Sequence, residues 1–324
     1  MSRVSIIVVN WNGWRDTLEC LESLEKLAYP DFGIVLCDNG STDESLERIR
    51  EWARRHQVSF AELDRAELEA GGGLREVKLA LLRVGENLGF AGGNNVGLSY
   101  ALAQDVSFCW LLNNDTVVEP DALTELVARM EQDQGIGICG SSILYYHDRD
   151  RIQALGGGYY HPWLGLPLHY GRFTPWRMSG RVQGMAASKM NYVEGASMLV
   201  SRRFLLEIGV LSEEYFLYFE EADWAMRARG RFSLGYAARS VVYHKVGGSI
   251  GTSSNPGRKS LVCDFYNIRN RIRFARRYHP LTLPTVYLVL LGEIVLRALY
   301  GRWDRVAMIL GLMMKGASGP ELRP

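Results

Sequence analysis

The sequence has no CxxC pair. Its five cysteines, Cys20, Cys37, Cys109, Cys139 and Cys263, are odd in number and lie mostly in predicted strands and helices. This fits reduced thiols in a cytoplasmic compartment rather than a disulfide framework. Net charge is only +1, which argues against a general polyanion binder, and no nucleic-acid partner is expected. The N-terminus runs almost directly into a strand without a basic region and long apolar stretch, so no signal peptide is expected. There is no internal repeat and no long low-complexity tract. A dinucleotide fingerprint and a Gly-Lys-Ser/Thr phosphate loop are both missing, which disfavours a dehydrogenase. What is present is a globular composition, 47% apolar and 23% charged over 324 residues. That is enough for one large domain or two small ones around a sizeable core.

The organising stretch is an apolar run from Val106 to Leu112 that stops abruptly at Asn113-Asn114-Asp115-Thr116. Uncharged runs of this kind read as strands buried on both faces, and in open α/β sheets ligands sit beyond the carboxyl ends of such strands. A carboxylate there, flanked by amides, can hold a hard cation and the phosphates it carries; it can also simply cap the helix predicted from Pro120 to Gln132. Val4 to Val9 is a β-branched strand ending at Asn10-Trp11-Asn12-Gly13. A helix with Leu18, Leu21, Leu24 and Leu27 on one side follows, then the strand Phe32 to Cys37, closed by Asp38-Asn39-Gly40-Ser41-Thr42-Asp43. This alternation predicts a parallel sheet. Helix capping explains Ser41, Thr42 and Asp43, while Asp38 at the strand tip could accept hydrogen bonds from a base or ribose.

Further predicted elements are a helix over Ser45 to Gln57, strands over Val58 to Leu63 and Lys78 to Val84, and a surface excursion between them containing Gly71-Gly72-Gly73. Asn87-Leu88-Gly89-Phe90-Ala91-Gly92-Gly93-Asn94-Asn95 then opens a helix. Its glycines would let backbone approach a ligand closely, with free N–H groups at the helix start. Gly135 to Gly140 reads as a short strand. Leu144 to Met190 is rich in Gly, Tyr, Trp, His and Pro and has little periodicity; its aromatics either stack on sugar rings or form a satellite core. Val193 to Ser201 reads as a strand. Phe216 to Phe219 leads into Glu220-Glu221-Ala222-Asp223 and a helix continuing to Arg229. Acids at a helix start are common, but three within four residues behind an aromatic run would raise at least one pKa, as a general base requires. Two short strands, Ser233 to Ala237 and Ser240 to Tyr243, precede His244 and a Gly247-Gly248 loop. The imidazole is either structural or a metal ligand.

Lys259 to Tyr278 reads as a basic amphipathic helix. Leu261, Phe265, Ile268, Ile272 and Ala275 lie on one stripe and Arg269, Arg271, Arg273, Arg276 and Arg277 on the rest. An anionic membrane surface touched through 258–279, or a domain-closing helix, would each account for it. Leu281 to Gly292 reads as too short to span a bilayer, because Glu293 and Arg297 interrupt the apolar pattern beyond it. Arg305 to Gly316 is a further apolar-rich segment, and the whole tail reads as peripheral to the membrane.

Taken together, Val8-Val9-Asn10-Trp11-Asn12, Asp38 to Asp43, Asn87-Leu88-Gly89-Phe90-Ala91, Asn113-Asn114-Asp115, Glu220-Glu221-Ala222-Asp223 and His244, in that order, resemble the family 2 glycosyltransferases, and within them the bacterial rhamnosyltransferase-like members. The resemblance covers about Val4 to Ser249. It implies the α/β GT-A fold, with a mixed, mostly parallel sheet flanked by helices. A catalytic domain over 1–256 would divide into a nucleotide-sugar half (1–115) and an acceptor half (116–256), and a helical tail would occupy 257–324. It implies an inverting transfer from a nucleoside diphosphate sugar, dTDP-rhamnose being one candidate, to a saccharide or polyprenyl-linked acceptor in cell-surface polysaccharide synthesis, at the inner face of the cell membrane. Glu221 would be the base, supported by Glu220 and Asp223. Asn10, Trp11, Asp38, Asn87, Gly93, Asn113 and Asn114 would bind the donor. Asp115 and His244 would ligate Mn2+ or Mg2+. Asn113 stands where the family often has Asp, and Glu221 where many relatives have Asp. A nucleotidyltransferase would need a basic phosphate loop after the first strand, which Asn10-Trp11-Asn12-Gly13 is not; an inactive sugar-binding relative could have lost Asp115 and Glu221.

Overall fold

The computed structural model describes residues 1–69, 77–246 and 260–315. The expected Gly71–Gly73 excursion, the Gly247-Gly248 loop, the expected domain boundary at 256/257, positions 258 and 259, and Gly316 lie outside them.

The N-terminal half alternates β1 (Val4–Asn10), α1 (Trp14–Leu24), β2 (Phe32–Asp38), α2 (Ser45–Arg55), β3 (Phe60–Asp64), α3 (Arg65–Glu69), β4 (Leu79–Arg83), α4 (Gly89–Leu102) and β5 (Phe108–Asn113). Five parallel strands lie side by side as β3-β4-β2-β1-β5. Because side chains alternate across a strand, Val4, Ile6, Val8, Trp110 and Leu112 fill one layer with Leu21 and Leu24 of α1 and Trp52 of α2. Ile7, Cys109 and Leu111 fill the opposite layer with Leu98 and Ala101 of α4. Burial on both faces is why these strands read as unbroken apolar runs. All five cysteines are buried, and none forms a disulfide.

The second half adds β6 (Thr116–Val118), α5 (Ala122–Gln132), β7 (Ile136–Tyr145), β8 (Asp148–Leu155), β9 (Gly157–His161), β10 (Leu166–Leu168), α6 (Gln183–Lys189), β11 (Tyr192–Val193), β12 (Ser197–Ser201), α7 (Arg202–Ile208), α8 (Glu220–Ala228) and β13 (Ser233–His244). Strand β12 joins β5 antiparallel, and the sheet continues through β7 to β8, β9 and β10. The segment expected to lack order, 144–190, therefore carries strands and a helix. Tyr160 packs edge-on to Phe219, forming the satellite core, while Trp163 and Phe173 remain exposed. The strand expected over Val193 to Ser201 is broken at Glu194-Gly195-Ala196. The two short strands expected before His244 are one, β13, whose register against β7 slips between Ala237 and Val241.

Three helices close the chain: α9 (Leu261–Tyr278), α10 (Leu283–Leu299) and α11 (Trp303–Lys315). They change the expected basic stripe at two of its five arginines, while Arg276 and Arg277 stay exposed. Arg269 and Arg271 are each only 3% exposed, because α10 and α11 pack against α9 and Glu293 meets the Arg271 guanidinium at 2.7 Å. Glu293 and Arg297 do not end the apolar segment either. They pair at 3.0 Å within α10, and Pro280–Leu299 is by length and composition sufficient to cross a membrane.

Candidate active site

Strand β1 is the point from which the parallel sheet is wound in two directions, to β2 on one side and β5 on the other. A crevice opens at the carboxyl ends of strands about such a point. A cavity of about 300 Å³ lies there, bounded by Trp11, Asn39, Asn87, the Asn113-Asn114-Asp115 turn, Glu194, the loop Phe216–Tyr218 and Glu220-Glu221. Of the residues expected from sequence, Trp11, Asn87, Asn113, Asn114, Asp115, Glu220, Glu221 and His244 line this one space.

Asn10, Asp38, Gly93 and Asp223 do not line it. Asn10 is fully buried; its amide donates to Asp38 Oδ2 at 2.9 Å, and its Oδ1 accepts from Thr17 at 2.7 Å. Asp38 Oδ1 in turn accepts from the Ser41 backbone N–H at 3.1 Å. Both side chains thus hold the two strand-end loops together, and the cavity is reached instead by the neighbouring Asn39. The glycines at the start of α4 are closely packed, and of them Gly89 also lines the cavity. A Cβ on Gly93 would meet Val9 at 2.9 Å, and one on Gly89 (φ +73°) would meet the Phe216 carbonyl at 2.2 Å. Asp223 is sealed in the core, accepting from Arg227 at 2.8 Å and the Tyr278 hydroxyl at 2.6 Å.

The antiparallel register that sets His244 opposite Thr116 brings the imidazole beside Asp115. Nε2 lies 3.1 Å from Asp115 Oδ1, and Nδ1 lies 3.0 Å from Oε1 of the buried Gln153. Burial pushes the His244 pKa down, but the Asp115 and Glu194 carboxylates outweigh it and leave the value raised. With both nitrogens facing acceptors, this arrangement favours the protonated ring. As a neutral ring it would keep its Nδ1 proton on Gln153 and present the Nε2 lone pair toward Asp115, which is how a histidine ligand is oriented by a second partner. The donor set therefore fits a divalent cation. Among the described residues no group of three or more His, Cys, Asp or Glu side chains could hold a metal ion. A cation here would draw its remaining ligands from substrate oxygens and water, as hard cations at phosphates commonly do.

On the opposite wall, Tyr218 (φ +69°) and Phe219 (φ +76°) both hold left-handed backbone just before α8, a conformation costly for non-glycine residues and retained where surrounding structure enforces it. The enforcement comes from α9: the Asn270 amide donates to the carbonyls of Leu217 at 2.8 Å and Tyr218 at 3.0 Å. This turn delivers Glu220 and Glu221 to the cavity. Among the described residues, Oε2 of each has no hydrogen-bond partner. Burial, with repulsion between the neighbouring carboxylates, raises the Glu220 pKa well above the ordinary value. Burial and the nearby Glu194 push Glu221 up to about 7. Glu194 is itself ionised: burial opposes its charge, but His169, 2.7 Å away, holds its pKa below the ordinary value. Two carboxyls whose environments separate their titrations make one neutral acid and one base available near neutrality.

Asn39, Gln153, His169 and Glu194 were not singled out from sequence. Asn39 is masked by its neighbour Asp38, whose charge is the stronger signal at that strand tip. The other three lie in or beside the segment without periodicity, and only the break between β11 and β12 turns Glu194 into the cavity.

The chain matches the sequence profile described as Glycosyl transferase family 2 over residues 5–194, more than half its length, and it belongs to that family. It is similar to the low-salt glycan biosynthesis hexosyltransferase Agl10 of Haloferax volcanii, with 25% identity over 232 residues, 70% of this chain and 61% of that one. The chain thus spans about three fifths of this curated relative. Among solved structures it is similar to the mannosyltransferase PcManGT from Pyrobaculum calidifontis in complex with GDP-Man and Mn2+, at TM-score 0.58 and 16% identity, over 98% of this chain and 87% of that one. It is likewise similar to GalNAc-T7 with UDP, GalNAc and Mn2+, at TM-score 0.57 and 18% identity, over 85% and 48%. The fold is GT-A, with a helical tail.

Proposed function

We propose that this chain is a metal-assisted, inverting glycosyltransferase. It would move a sugar from a nucleoside diphosphate to a saccharide or polyprenyl-linked acceptor in cell-surface polysaccharide synthesis. The observation that carries the reading is the opposition, across one cavity, of the Asp115–His244 pair and a buried carboxyl, Glu221, poised to titrate near neutrality.

In this reading Trp11, Asn39 and Asn87 receive the nucleoside, while Asn113 and Asn114 flank the diphosphate. Asn39 and Asn87 are pre-set, the amide of one donating to the other at 3.1 Å, and Asn114 is anchored on Thr17 at 3.0 Å. Asp115 and His244 would hold Mn2+ or Mg2+, which supplies positive charge against the oxygens of the departing diphosphate. Glu221 accepts the proton of the acceptor hydroxyl as that oxygen attacks the anomeric carbon from the side opposite the leaving group. One in-line displacement inverts the centre without a protein nucleophile. Glu220, kept neutral, limits negative charge beside the base. The loop Phe216–Tyr218 and Val262 of α9 line the same cavity.

The two neighbouring structures carry a guanosine and a uridine nucleotide, and the resemblance to rhamnosyltransferase-like proteins adds dTDP-rhamnose. Thermal stabilisation and hydrolysis across GDP-, UDP- and dTDP-sugars, with and without manganese, test the reading. One donor class should stabilise the protein only with the metal. No response to any nucleoside diphosphate sugar would refute it.

A further inference from the structure

Helix α10 is built inside out for a water-soluble surface. Val286 and Leu290 turn inward and are fully buried. Its charges also turn inward: Glu293 meets Arg271 at 2.7 Å, and Arg297 meets Asp264 of α9 at 2.8 Å. Outward it presents Leu288, Leu291, Val295, Leu296 and Leu299, recurring at helical spacing, with Leu281 just before them 89% exposed and Leu299 78% exposed. Tyr300 and Trp303 sit exposed at the turn into α11, which adds Leu310 and Met314. A contiguous apolar face of this kind marks a docking surface.

We propose that this outward face of α10 and α11 lies in the plane of an anionic lipid bilayer, at the boundary between headgroups and acyl chains. Three features select lipid over a second copy of the chain. Tyr and Trp, amphipathic residues favoured at membrane interfaces, stand at the helix turn. Exposed cations border the apolar segment: Arg276, which donates to Tyr287 of α10 at 3.3 Å, and Lys315 at the end of α11. The charges that would bar α10 from lipid are neutralised against α9. The helix lies in the plane rather than spanning the bilayer because its other face is committed to α9. The same α9 contributes Val262 to the cavity wall and braces the loop before Glu221, so docking would set the acceptor end of the cavity in the layer next to the membrane. Arg271 of α9 is an internal counter-charge to Glu293, Arg276 and Arg277 stay exposed, and the apolar face is the main anchor.

The proposal stands on the helix layer, independently of the transferase reading, and the vesicle assay needs no nucleotide sugar, so the two can fail separately. The full chain is co-sedimented with phosphatidylcholine vesicles with and without phosphatidylglycerol, across a salt series. The wild type should bind, more tightly with the anionic lipid, and keep most of its binding at high salt. Leu288→Glu and Leu299→Glu, both at exposed sites, should each lower partition at least tenfold with an unchanged melting temperature. Arg276→Glu should lower only the salt-sensitive part on anionic vesicles. Wild-type protein that stays in the supernatant with every vesicle, or leucine variants that bind like wild type, would overturn the proposal. So would a dimer in sedimentation velocity that the leucine variants dissociate, which would make a second copy the occupant.

Discussion

Replacing Glu221 by Gln separates the base from every other part of the site. In the resting protein Glu221 Oε2 has no hydrogen-bond partner among the described residues, so the amide breaks no existing bond there while losing the ability to take a proton. General-base loss should cost on the order of 100-fold to 10,000-fold in turnover, or roughly 3–5 kcal/mol of transition-state stabilisation. Donor affinity should barely change, because the base faces the acceptor hydroxyl and not the diphosphate. The pH dependence gives a second magnitude. With the carboxyl pushed up to about 7, the ionised fraction is about 9% at pH 6, about 50% at pH 7 and about 91% at pH 8. Wild-type single-turnover transfer should therefore rise about tenfold from pH 6 to pH 8. The sign comes from the base form being the carboxylate: activity is lost as pH falls through the raised pKa. Single-turnover transfer with saturating acceptor across that range, paired with donor titration, reads both quantities. Near-normal turnover in Glu221→Gln, or a wild-type rate flat from pH 6 to pH 8, would remove Glu221 from the role.

The neighbouring anion gives a directional test. Glu194→Gln removes the charge that helps raise Glu221, so the pH–rate midpoint should move to lower pH; a midpoint that stays put would mean burial alone sets it. Asp115→Ala should abolish the manganese-dependent part of nucleoside diphosphate binding in calorimetric titration while leaving the circular dichroism melt cooperative; unchanged affinity would sink the metal role. Asp223→Ala leaves Arg227 and Tyr278 without their shared buried partner and should cost about 3 kcal/mol in urea unfolding, with a far smaller effect on turnover than Glu221→Gln. Asn270→Ala should lower turnover through the strained loop it braces, with donor affinity preserved and a stability loss of about 1–3 kcal/mol for the two hydrogen bonds removed; unchanged turnover would show that the loop holds its shape without α9.

The sequence alone determined the parallel half of the sheet. Val4 to Asn10, Phe32 to Asp38 and Phe108 to Asn113 sit within about two residues of where apolar runs and polar stops placed them, because strands buried on both faces leave a one-dimensional signature. It also placed Asp115, Glu220, Glu221 and His244, each at the end or start of an element, where a polar residue breaks an apolar pattern. Only the tertiary structure decided which of these polar ends face a common space. Asn10 and Asp38 bond to each other outside the cavity lining, and Asp223 turns into the core. Glu194, His169 and Gln153 reach or flank the site from an aperiodic segment, because strand breaks and loop returns bring together residues far apart in the chain. The tail shows the same limit in reverse. A helix rich in arginine looks like a solvated basic face until its partners are known. Here Glu293 takes up Arg271 and Asp264 takes up Arg297 inside the helix layer, and leucines are left outside, a pairing that charge count and helical spacing could not reveal.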